Sequence, residues 1–132
     1  AQTGVLDGGA MGLRVLMRAV KLQNRAARVG VDWPSADGVL DKLNEEVQEV
    51  KEATSFEHKT EEFGDLMFVM ANLARHWNID PEAALRAANA KFTRRFEYIE
   101  SALAEAGKTP KDSNLAEMDG LWDAAKRAEK NA

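Results

Sequence analysis

Apolar residues recur along this chain at three- and four-residue steps, and nowhere do they alternate over a strand's length. That pattern confines the chain to helices that each bury one face, so the expected class is all-α. The first helix is expected from about Leu13 to Val29. Leu13, Leu16, Met17, Val20 and Ala27 lie near one face, and Arg14, Arg18, Lys21, Arg25 and Arg28 make much of the rest basic. Gly30 can stop it, and Pro34 disfavours helical geometry at Trp33. A second helix is expected from Ser35 or Asp37 to about Ala53, with Val39, Leu40, Leu43, Val47 and Val50 as its stripe. Thr54-Ser55-Phe56-Glu57 reads as a capping box for a third, which carries Phe63, Leu66, Val69, Met70, Leu73 and Trp77. Asp80 as N-cap and Pro81 at the first helical position open a fourth, which Gly107 ends. A polar loop over residues 108–113 leads to a last helix, Leu115 to Lys130, whose apolar face is Leu115, Met118, Leu121, Trp122 and Ala125.

The chain's 132 residues suffice for one compact domain, expected over residues 13–130. Residues 1–12 hold four of the nine glycines and little periodicity, which reads as a flexible linker. Such a start fits a second domain preceding it, or a longer chain cut there. With no cysteine, disulfides and thiolate metal sites are excluded. A net charge of −4 argues against a binder of nucleic-acid polymers. Without a bilayer-length apolar run or a secretory signal pattern, the expectation is a soluble cytoplasmic protein with no membrane partner.

Four acids stand out, Glu46 with Glu49 and Glu62 with Asp65, each pair spaced i, i+3 and separated from the other by twelve residues. On a helical wheel Glu46 and Glu49 lie about 70° and 130° from their apolar stripe, and Glu62 and Asp65 about 65° and 125° from theirs, in the same rotational sense. The short connection between the two helices makes them antiparallel neighbours. Equal offsets then bring both pairs to one rim of the seam. Counted from Thr54, Glu46 and Glu62 are both eight residues away, or about 12 Å along their helices. Surface acids three apart are common and usually just solvated. Glu49 is nearer the turn and Asp65 farther. Two pairs at one flank and similar height repel strongly unless a cation lies among them, and hard oxygen donors suit Mg²⁺, with Mn²⁺ as the alternative.

The run Glu45-Glu46-x-x-Glu49, then Glu62-x-x-Asp65 after twelve residues, resembles the signature of the MazG family of nucleoside triphosphate pyrophosphohydrolases. The likeness extends over Val20-Lys21-Leu22-Gln23 to Val31-Asp32-Trp33, Glu61-Glu62-Phe63-Gly64-Asp65-Leu66 and Asn89 to Phe96. It covers about Leu13 to Lys130 and looks like the second of two tandem MazG domains.

The resemblance implies a four-helix-bundle-like module that forms a homodimer. It implies Mg²⁺-dependent hydrolysis of a nucleoside triphosphate to the monophosphate and pyrophosphate, a housekeeping reaction of the nucleotide pool. It makes Glu46, Glu49, Glu62 and Asp65 the metal ligands and catalytic acids. It matches Lys91 and Arg95 to phosphate-contacting positions and Asn89 to a polar position nearby. Lys91 and Arg95 are one turn apart and can grip one phosphate together, or else form a basic surface pairing with Glu97 or Glu100. Lys21, with Arg25 and Arg28, can wall the substrate or be a solvated face. Trp33 and Trp122 are candidates to stack on the base, or else to pack in the core or at an interface. His58 and His76 read as plain surface or boundary residues. A competing expectation is a nucleotide-binding dimerisation or regulatory module without turnover, and a third a purely structural bundle.

Overall fold

The computed structural model describes residues 14–132; the expected linker, residues 1–12, and the expected helix start at Leu13 lie outside them. The described chain is helical throughout: α1 Val15–Ala27, α2 Ala36–Glu52, α3 Phe56–His76, α4 Pro81–Glu105 and α5 Leu115–Lys130, with a 3-10 turn at Pro110–Asp112. No strand occurs among the described residues. The chain divides into two compact units, one ending at Ala84 and the other spanning Leu85–Ala132, with the boundary in the first turn of α4.

In the first unit α3 packs against both α1 and α2. Residues 53–55 fold α3 back along α2, and the buried centre includes Val20, Val39, Ala53 and Ala71. The ends of these helices have identifiable causes. Gly30 adopts φ 96°, a left-handed stop that a Cβ would strain. The cap of α3 is Ser55 rather than Thr54: its Oγ accepts from the His58 N–H at 3.1 Å, and with His58 at the third helical position the expected reciprocal box does not form. Asp80 accepts from the N–H groups of Glu82 and Ala83. The Glu82 carboxylate in turn accepts from the Leu16 N–H at 3.0 Å and satisfies one of the first-turn donors of α1. Gln23 of α1 donates to the Phe68 carbonyl of α3 at 3.2 Å.

The α3 stripe differs from its sequence reading. Leu66 and Val69 are partly covered, but Phe63, Met67, Met70 and Trp77 are 54%, 40%, 54% and 51% exposed. Three of them follow at i, i+4 and i+7, with Trp77 two turns further on. A continuous apolar ridge therefore faces outward along α3.

In the second unit Ile99, Leu103 and Ala125 are buried. The Phe92 and Trp122 rings meet at 5.7 Å between centroids, which brings α5 against α4.

Candidate active site

The three-residue connection between α2 and α3 fixes the heights of the acids. Carboxylate oxygens of Glu46, Glu49 and Glu62 lie within 4.8 Å of one another. Asp65 is outside that group and exposed. Its separation follows from register, because Glu49 is five residues before Thr54 and Asp65 eleven after it. That six-residue mismatch is about 9 Å of helix rise, and an aspartate reaches one methylene less far than a glutamate.

Each of the two more enclosed glutamates has one oxygen engaged and one idle. Glu46, with a side chain only 6% exposed, places Oε1 3.3 Å from Lys42 Nζ, while its Oε2 is buried without a partner. Glu62 places Oε1 3.2 Å from His58 Nε2, and its Oε2 is also buried without a partner. Both engaging residues stand four positions before their glutamate, one turn down the same helix. The hydrogen bond to Glu46 raises the Lys42 ammonium above its ordinary value; burial opposes this, and the charges of Glu46, Glu45 and Glu49 reinforce it.

A buried carboxylate oxygen with no partner costs on the order of 1–3 kcal/mol, more when charged. Two of them in one cluster call for a cation. The donor set is all carboxylate and suits a small hard divalent ion. Glu46, Glu49 and Glu62 therefore fit the expected metal; these atoms do not choose between Mg²⁺ and Mn²⁺.

Further along α3 a hollow of about 240 Å³ opens between α1, α3 and the segment after α1. Trp33, Phe68 and Val69 line it, with Gln23, Asn72 and Arg75 as its polar groups. Asp32 organises the rim. One of its oxygens accepts from the Arg75 guanidinium, pairs with His76 Nε2 at 2.9 Å and accepts from the Trp33 N–H at 2.8 Å. Burial alone would raise the Asp32 carboxyl, but hydrogen bonds and charge from Arg75 and His76 outweigh it and hold the group below the usual 3.8. Arg75 also donates to Asn72 at 2.9 Å and to Asn24 at 3.4 Å. Trp33 can approach α2 this closely because position 38 is glycine: a Cβ there would sit 2.5 Å from the Trp33 ring.

Of the expected substrate residues, Lys21 is exposed on α1. Asn89 and Lys91 are exposed on α4 in the second unit. Arg95 pairs with neither Glu97 nor Glu100: its Nη2 donates to Glu129 of α5 at 3.0 Å, and its guanidinium stacks 5.2 Å over the Trp122 ring. Trp122 thus gives one face to Arg95 within its own unit.

Several residues escaped the sequence reading. Lys42 was legible from its i, i+4 spacing to Glu46. His58, read as surface, shares that spacing with Glu62, and His76, with a side chain only 12% exposed, is tied to Asp32. The Asp32–Arg75 pair spans 43 residues and leaves no local signal.

Residues 13–92 match the family described as phosphoribosyl-ATP pyrophosphohydrolase, a stretch that holds all four acids. The chain belongs to the phosphoribosyl-ATP pyrophosphohydrolase family, within the MazG-like superfamily. This family match takes in Asn89 and Lys91 and stops before Arg95 and Trp122. The chain is also 40% identical over 111 residues to the nucleoside triphosphate pyrophosphohydrolase/pyrophosphatase MazG of Thermotoga maritima, covering 84% of this chain and 44% of that protein. It is 42% identical over 134 aligned positions to the nucleoside triphosphate pyrophosphohydrolase of Escherichia coli K12, covering 98% of this chain and 51% of that protein. The expected likeness to MazG is thereby met, and this phosphoribosyl-ATP pyrophosphohydrolase family member spans about half the length of these relatives.

Proposed function

We propose that this chain hydrolyses nucleoside triphosphates to the monophosphate and pyrophosphate, using Mg²⁺ held by Glu46, Glu49 and Glu62, with Asp65 further along α3 in reserve as the fourth acid of the motif. The observation that carries this reading is the pair of buried, unpartnered oxygens on Glu46 and Glu62 within a three-glutamate cluster. The names of the relatives support the reaction class. When bound, the ion would neutralise charge on the phosphates and lower the pKa of a coordinated water.

The chain's own groups do the rest. The acids would hold the ion, and one carboxylate beside it would take the proton of the attacking water. Glu45, exposed and 3.7 Å from Lys42, is a further candidate for that proton. A triphosphate carries about four negative charges, so cations beyond the metal are needed to seat it. Lys21, Lys91 and Arg95 take that role in this reading, with Asn89 as a neutral donor and Trp122 as a stacking surface. Arg95 arrives already oriented by Glu129. The hollow beside Trp33 offers a flat aromatic wall and the amides of Gln23 and Asn72, which suit a base.

The outward ridge on α3 supports a homodimer as the working form. A housekeeping role in the nucleotide pool follows from the reaction and rests on it.

The decisive experiment incubates the purified chain with Mg²⁺ and a panel of normal and oxidised nucleoside triphosphates. Pyrophosphate and monophosphate in equal amounts are expected. Orthophosphate without pyrophosphate would overturn the reading. Nucleotide-dependent stabilisation with no product would favour the non-hydrolysing binding module instead.

A further inference from the structure

Glu46 is the most enclosed acid of the cluster, and its one charged partner is Lys42, whose ammonium lies 3.3 Å from Oε1 and also 3.7 Å from Glu45. Among the described residues no other lysine or arginine pairs with Glu46, Glu49 or Glu62. The lysine side chain is 36% exposed, so it approaches the cluster from the solvent side while the idle Glu46 Oε2 is closed off from water. We propose that Lys42 is the resident counter-cation of the cluster: it neutralises Glu46 while no divalent ion is bound, competes with that ion, and so sets the site's metal affinity. The inference rests on the reading of the cluster as a divalent-cation site and adds a role that the acids alone do not imply.

Linkage between the two cations sets the direction of the effect. A contact that is more favourable in the empty site than in the loaded one weakens loading by the same factor. An ammonium touching a ligand carboxylate is such a contact, since it attracts the free carboxylates and repels an arriving cation. The functional consequence concerns the order of events. A site already part-neutralised takes a free ion weakly. A metal–triphosphate complex brings its own phosphate oxygens as additional ligands and overcomes the competition. Ion and nucleotide are then captured together.

A different role for the same residue predicts the opposite sign. If Lys42 served only to hold Glu46 in a liganding posture, its loss would weaken metal binding.

The test is calorimetric titration of the whole chain with Mn²⁺ alone, without nucleotide, for the wild type, K42M, K42Q and K42R. Thermal melting with and without Mn²⁺ accompanies it. Methionine keeps most of the lysine stem; glutamine is a second neutral variant should methionine disturb folding. Both neutral variants are expected to bind Mn²⁺ about tenfold more tightly, a change of about 1.4 kcal/mol. They should also melt lower than the wild type without metal and recover that loss with it. K42R restores the charge and should return both readings toward the wild type. Unchanged or weaker Mn²⁺ binding in the neutral variants overturns the role of Lys42 and leaves the cluster reading standing. Absence of Mn²⁺ binding in every protein up to millimolar ion overturns the cluster reading and this inference with it.

Discussion

Glu62 concentrates the residue-scale argument, because one of its oxygens meets His58 and the other is enclosed with nothing to bind. Glu62→Gln keeps the shape and removes one negative charge from the cluster. Turnover should fall at least about hundredfold, as loss of one electrostatic contact to a transition state commonly does. The metal-free melting temperature should rise by about 2–6 °C, since relief of like-charge repulsion by roughly 1 kcal/mol shifts a domain of this size by that much. A lower melting point would make Glu62 a structural residue. Asp32 gives a pH-dependent counterpart. Its folded pKa lies below the ordinary value, so its contribution to stability is complete above about pH 4 and is lost as pH falls through the depressed folded value. Asp32→Asn should cost about 1–3 kcal/mol at pH 7. In urea titrations the gap between variant and wild type should narrow as the pH drops toward 3 and below.

At the scale of the elements, the site depends on how α2 and α3 are joined and on what lies against them. Gly38 is the point where the chain after α1 touches α2, through the Trp33 ring. Gly38→Ala should push that ring away from α2, at a cost of about 1–3 kcal/mol for the added methyl. The Trp33 contribution to fluorescence should move to longer wavelength; unchanged emission and unchanged stability would mean the ring is not seated there. Helix boundaries were legible because glycine, proline and capping residues act locally: Gly30, Asp80–Pro81 and Gly107 stop or start helices where the sequence says they should. The convergence of Glu46, Glu49 and Glu62 was legible too, because period and loop length together fix rotation and height. Asp65 was harder, since the same count that aligned Glu46 with Glu62 set it a turn too far. The Asp32–Arg75 and Arg95–Glu129 pairs were out of reach, because the first ties α3 to the segment after α1 and the second ties α4 to α5, and no local spacing encodes either contact.

For the whole molecule the outward ridge of Phe63, Met67, Met70 and Trp77 is the main unexplained exposure. If a second copy covers it, Met70→Glu should convert a dimer to a monomer in light scattering, at concentrations where the wild type stays dimeric. Wild type already monomeric at micromolar concentration would remove this role for the ridge. The ridge and Glu62 share one helix, so a second copy seated on the ridge would link association to chemistry. Mass action would then govern catalysis: on dilution the melting midpoint should slide downward, and specific activity per chain should decline along with it, so the amount of protein in a compartment would itself act as a throttle on turnover.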